Sequence, residues 1–104
     1  MRMLPRKRIE IFVEAPLLRR ILTALDQLGV PGYSLMEMAG GRGGGAAWDE
    51  SGEIGNASRM VCVISLVEPE RLPDILARLS VIVAGRIGVT AISDVEVMQE
   101  GSTR

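Results

Sequence analysis

Residues 8–29 read RIEIFVEAPLLRRILTALDQLG, and two different periods meet inside this stretch. Ile9, Ile11 and Val13 alternate with Arg8, Glu10, Phe12 and Glu14, which is the two-residue period of a strand with one clearly apolar face. Pro16 suits the first turn of a helix, and beyond it Leu18, Ile21, Leu22, Leu25 and Leu28 recur three and four residues apart. Gly29 supplies the stop.

The same unit returns in the second half of the chain. Residues 33–38 read as a strand, a glycine-rich segment follows, and residues 59–67, RMVCVISLV, are apolar at both parities. A strand of that kind is buried on both faces, at the centre of a sheet or under a partner subunit. Pro69 then opens a helix whose stripe is Leu72, Ile75, Leu76, Leu79, Ile82 and Val83, ending at Gly85, and a last strand runs from about 89 to 98. Glu14, Ala15 and Pro16 in the first unit answer to Glu68 and Pro69 in the second. Two such units in one sheet predict an α+β, ferredoxin-like βαββαβ arrangement, an antiparallel sheet with both helices on one face. The other face then lacks a cover. Phe12, Met36, Val61 and Val63 are placed there, so the chain is expected to associate through its sheets.

The totals agree with one small domain. The chain has 104 residues, 47% of them hydrophobic but only 3% aromatic, so the core must be built from Leu, Ile, Val, Ala and Met. The reading is a single domain over 1–104 with short tails at 1–6 and 99–104. A formal charge of -1, from 12 Lys and Arg against 13 Asp and Glu, leaves no electrostatic footprint for nucleic acid. The opening MRMLPRKR has charge and Pro5 where a signal peptide needs an apolar run, and no stretch reaches the roughly 18 apolar residues of a membrane span. A cytoplasmic protein without membrane insertion is expected.

Catalytic equipment is sparse. The chain has no histidine, the commonest general base and transition-metal ligand, and a single cysteine, Cys62, in the middle of an apolar strand. One cysteine without histidine excludes a structural zinc site within one chain. Asp49, Glu50 and Glu53 cluster in the glycine-rich segment, where a solvated loop face explains them. The expectation is no catalytic residue, no metal and no enzyme.

Two stretches do combine approachable backbone with a cation. Gly40, Gly41, Arg42 and Gly43 follow the second strand, and Gly85, Arg86, Ile87 and Gly88 follow the second helix. Backbone NH groups in such turns can form an anion-binding nest, and the arginine fork matches phosphate oxygens. A helix C-cap at Gly85 and a loose hairpin at 40–45 are the plainer explanations. Residues 40–55, GGRGGGAAWDESGEIG, hold seven of the 12 glycines and the only tryptophan, Trp48. A connection of this length between paired strands needs a reason beyond closure, since two to five residues suffice for a hairpin.

The order of elements, the strand at Gly32, Tyr33, Ser34, Leu35, Met36 and Glu37, the glycines from Gly40, and Gly85-Arg86-Ile87-Gly88 ahead of a strand through Ser93, Asp94 and Val95 together resemble PII signal-transduction proteins. The likeness spans about 8–98. It implies a homotrimer that binds adenine nucleotides between subunits and reports them through a flexible T-loop, here about 40–58. Carried over by position, Ser34 and Gly40 lie near the nucleotide, and Gly85, Arg86 and Gly88 lie beside its phosphates, with Ile9 and Val63 near the base. Gly41, Arg42 and Gly43 at the loop entry and Arg59 at its return join this nucleotide and anion set.

Departures narrow the likeness. Residues 40–58 hold no tyrosine for uridylylation, Val89 and Thr90 follow Gly88 where the family has a longer GDGK turn, and Met98, Gln99 and Glu100 stand where it brings arginines. Fewer phosphate-binding cations count against ATP with 2-oxoglutarate. GYSLMEMAGGRGGG at 32–45 is most similar to the carboxysome-associated and bicarbonate-related PII-like branch, which implies ADP or AMP as ligand and bicarbonate as a second ligand. A bicarbonate transporter or a carboxysome component is then the implied protein partner, and inorganic-carbon and energy status the implied signal. The alternative is a trimeric metal-tolerance protein of the CutA kind, which shares the architecture but which the missing histidine disfavours. An RNA-binding module of this fold would need exposed aromatics and positive charge.

Overall fold

The computed structural model describes residues 1–43, 46–49 and 59–99. Strand β1 covers Arg2–Glu14, a 3-10 turn at Ala15–Leu17 leads into helix α1, Leu18–Gln27, and β2 is Ser34–Glu37. Two short strands follow, β3 at Gly40–Gly43 and β4 at Ala46–Asp49. Then come β5, Met60–Val67, a 3-10 turn at Pro69–Arg71, helix α2, Leu72–Val83, and β6, Gly88–Gln99. Four strands form one antiparallel sheet in the order β2-β5-β1-β6, the ferredoxin-like arrangement, while β3 and β4 pair with each other.

Both prolines sit where their missing N–H costs nothing, in the first positions of the 3-10 turns that start the helices. Both helices end in glycine at positive φ, Gly29 at +72° and Gly85 at +71°. At the first of these ends the N–H of Val30 returns to the Leu25 carbonyl at 3.0 Å, satisfying a carbonyl that the helix leaves without an internal donor.

Register decides which side of the sheet each residue serves. Ile11 pairs with Val63, Val13 with Val61 and Ile9 with Ser65, so these odd positions of β1 and β5 share one face. Ile9, Ile11, Val13, Val61, Val63 and Val67 form a single buried cluster with Leu17, Ile21, Ala24 and Leu25 before and within α1 and Ile75, Leu79 and Ile82 of α2. The expectation that Val61 and Val63 lie on the uncovered face is therefore corrected. A strand apolar at both parities does not show which set meets the helices, and pairing with Ile11 and Val13 assigns the odd set to them.

The opposite face carries a second row. Met36 pairs with Cys62, Cys62 with Phe12 and Phe12 with Val89, so strand alternation puts these four side chains together on the side away from the helices. Cys62 is fully buried at the centre of this row, while Met36 is 48% and Val89 61% exposed at its ends. Phe12 and Met36 thus lie on the face expected for them.

Residues 2–6, expected as a tail, belong to β1. Arg2 through Arg6 pair with Gln99 through Val95, so the two terminal strands run on together beyond the point where β5 leaves the sheet after Val67. Each supplies the other's backbone hydrogen bonds, which an isolated tail would leave to water. Lys7 and Asp94, opposite one another on the helix face, also form an ion pair. Residues 100–104 lie outside the described residues.

Candidate functional site

The residues singled out for an anion fall into two groups. Ser34 opens β2 and is exposed, opposite Ile64, on the uncovered face. Gly40, Gly41, Arg42 and Gly43 make up β3, whose register runs from Gly40 opposite Asp49 to Gly43 opposite Ala46, and the Arg42 side chain is exposed. A paired strand here was not foreseen, because runs of glycine carry no strand period. Glu50, Glu53 and most of the return of the 40–58 segment lie outside the described residues.

Arg59 returns the chain to the sheet. Its carbonyl accepts the N–H of Ala15 at 2.7 Å, which fastens the start of β5 to the turn leading into α1. Its guanidinium Nη2 lies 2.8 Å from Glu37 Oε1, at the other end of the long connection. On sequence alone Glu37 reads only as a strand residue, with no part in the site. The available signal was a pair of opposite charges immediately outside the two ends of the glycine-rich segment.

The second group follows α2. The backbone N–H of Arg86 already donates to the Val83 carbonyl at 3.0 Å, so the turn uses one of the donors that an anion nest would need. What Arg86 offers a ligand is its exposed side chain. Gly88 has a packing reason for being glycine: its φ is +149°, and a Cβ there would stand 2.1 Å from the Phe12 carbonyl oxygen. It lets β6 enter the sheet beside Val13, its register partner. Ile9 and Val63, expected near a base, are both 0% exposed in the helix-facing core.

One row of the sheet relates the two groups. Gly88 pairs with Val13, Val13 with Val61 and Val61 with Glu37, so the β6 entrance and the β2 exit lie at the same end of the sheet on opposite edges. Three interstrand steps separate them, about 14 Å. Within one chain the Gly88 turn and the end of β2 therefore stand apart.

At the far end of the sheet is a cleft of about 290 Å³, with Val30, Pro31, Leu66 and Ile75 among its apolar walls and Arg6, Glu68 and Arg71 as charged groups. It opens where β5 ends while β1 continues. Arg71 donates across it to the carbonyl of Leu28, at the C-terminus of α1, a favourable place for a cation. Sequence patterning did not indicate this cleft, since its walls come from β1, the turn after α1 and the passage from β5 into α2, far apart along the chain.

Burial pushes the Cys62 thiol above its ordinary pKa of 9.0, the negative charge of Glu10 adds to the effect, and Arg8 opposes it. Such a thiol is a packing group rather than a nucleophile. Among the described residues no three His, Cys, Asp or Glu side chains gather in a way that would hold a metal ion. Also among them, no helix is long and apolar enough to cross a membrane.

Comparison with known proteins matches residues 6–102 to the family model of nitrogen regulatory protein P-II. No curated protein sequence matches the chain. Among solved structures, CPII, a nitrogen regulatory PII-like protein from Thiomonas intermedia bound to ADP, AMP and bicarbonate, superposes with a TM-score of 0.80 at 21% identity, covering 95% of this chain and 99% of that one. CPII bound to ADP and bicarbonate gives 0.80 at 22% identity over 92% and 91% of the two chains. A PII-like signalling protein from Thermus thermophilus gives 0.71 at 22% identity, over 93% and 92%. At these identities the structures show a shared fold.

Proposed function

The chain belongs to the nitrogen regulatory protein P-II family, and on that premise we propose that it is a non-enzymatic sensor of adenine nucleotides, ADP or AMP in preference to ATP, working as a homotrimer in the cytoplasm. The observation that carries this reading is that the Gly85–Gly88 turn and the exit of β2, which leads into Gly40–Gly43, lie on opposite edges at one end of the four-stranded sheet. A second copy, laid edge to edge, brings Arg86 and the Gly85–Gly88 turn of one subunit to the Ser34, Gly40, Gly41, Arg42, Gly43 and Arg59 group of its neighbour. A nucleotide held there would be bound between subunits. The apolar row of Met36, Phe12 and Val89, exposed at both ends, gives the sheets a reason to associate.

In this reading phosphate oxygens take the guanidinium forks of Arg86 and Arg42, the most favourable geometry for a bidentate anion contact. Bicarbonate, which CPII binds as well as ADP, is the proposed second ligand. The segment at about 40–58 acts as the T-loop and passes inorganic-carbon and energy status to a partner, a bicarbonate transporter or a carboxysome component. A ligand shifts that loop only by its differential affinity for the two loop states.

Isothermal titration calorimetry with AMP, ADP and ATP, each with and without bicarbonate at fixed pH, tests the proposal. Tighter ADP or AMP binding in the presence of bicarbonate supports a sensor with coupled sites. Absence of heat with every nucleotide overturns it. Sedimentation that returns a monomer at all concentrations removes the intersubunit site.

A further inference from the structure

The Arg59 guanidinium is already engaged in the ligand-free chain, and its partner is an acid at the opposite end of the long connection. Glu37 is the last residue of β2, opposite Val61, and Arg59 immediately precedes β5. The backbone of Arg59 is pinned by Ala15, so only its side chain is available to move. That side chain is 46% exposed and that of Glu37 76%, which leaves solvent and dissolved anions free access to the pair.

We propose that Glu37 is an internal competitor for the anion site: its carboxylate holds the Arg59 guanidinium through Nη2 in the free protein and ties together the two ends of the 38–58 segment. An incoming oxyanion takes the guanidinium and releases that closure. The competition follows from chemistry, since a carboxylate and a phosphate or bicarbonate oxygen seek the same planar donors. An exposed pair at 2.8 Å is weak enough to be displaced and strong enough to bias the free state. The proposal rests on the anion-binding reading above and names what regulates that site.

The test replaces Glu37 with glutamine in the intact protein, with Glu96→Gln as a control of equal charge change in the terminal ribbon, opposite Pro5. ADP, AMP and sodium bicarbonate are titrated separately, so that the arm that responds identifies the oxyanion as phosphate or bicarbonate. Glu37→Gln is expected to tighten that anion about two- to five-fold, the range that an exposed pair of this kind is worth, while Glu96→Gln matches the wild type. Equal or weaker binding by Glu37→Gln, with the wild type binding normally, overturns the competition.

A second measurement needs no ligand. Because Ala15 holds the Arg59 carbonyl, trypsin reaches the Arg59–Met60 bond only through a local opening that also breaks the Glu37 contact, so the ligand-free Glu37→Gln protein is expected to be cut there about two- to five-fold faster than the wild type. Equal rates overturn the closure. If the wild type binds none of the three anions while the cleavage rates differ, the nucleotide reading fails and the Glu37–Arg59 closure stands by itself.

Discussion

Replacing Gly88 with alanine separates a packing role from a ligand role at a position both accounts claim. The added Cβ would stand 2.1 Å from the Phe12 carbonyl oxygen and 3.2 Å from its carbon, whereas ordinary contact begins near 3.4 Å. Relief therefore needs a displacement of about 1.3 Å between β6 and β1, the difference between 3.4 and 2.1 Å. Such a shift weakens the ladder at the Val13–Gly88 and Phe12–Val89 pairs, where each lost hydrogen bond costs about 1 kcal/mol. A φ of +149° adds about 1–3 kcal/mol of strain for any residue with a side chain, and the stiffer unfolded chain returns about 0.5–1 kcal/mol. The net loss expected is about 3 kcal/mol.

Gly29→Ala is the reference, because Gly29 has a positive φ of +72° with nothing within 4 Å of the added atom. It should lose only about 1–2 kcal/mol. Urea unfolding followed by far-ultraviolet circular dichroism, at matched protein concentration because association shifts the midpoint, measures both. A Gly88→Ala loss no larger than that of Gly29→Ala would refute the steric argument and leave Gly88 to the ligand.

Other residues give separable outcomes. Arg86→Ala should weaken nucleotide binding by about ten-fold or more, the loss of one charge-assisted contact, while leaving the urea midpoint unchanged; an unchanged dissociation constant counts against its place at the phosphates. Arg71→Ala should lower stability by about 1.5 kcal/mol through the lost bond to the Leu28 carbonyl, with lysine restoring only part, as read from the same urea curves. Cys62 should resist iodoacetamide in the native state and react once unfolded. Its raised pKa has a sign: stability from the protonated thiol is complete below the ordinary value of 9.0 and lost as pH rises toward the folded value, because the unfolded chain releases the proton first. Unfolding midpoints that stay flat as pH rises through and above 9.0 would contradict this.

Much of the molecule is legible in local pattern. The alternation through Ile9, Ile11 and Val13, the stripes from Leu18 to Leu28 and from Leu72 to Val83, and the proline and glycine at the ends of each helix report short-range geometry, which neighbouring residues impose on one another. Two such units already imply the antiparallel sheet with helices on one face. The resemblance that pointed to the P-II family also rests on residues close together in the chain.

What local pattern could not supply concerns partners far apart in sequence. A strand apolar at both parities, like residues 60–67, looks the same whichever face meets the helices, and only its register with Ile11 and Val13 turns Val61 and Val63 inward. The pairing of residues 2–6 with β6, the Glu37–Arg59 contact and the closeness of Gly88 to Phe12 likewise join segments that lie far apart along the chain. Composition and periodicity determined which elements form and the anion-seeking chemistry they carry. Tertiary structure decided where that chemistry goes, because hydrogen-bond register and strand order place Gly88 and the end of β2 on opposite edges of the sheet, a separation that no count along the chain could show.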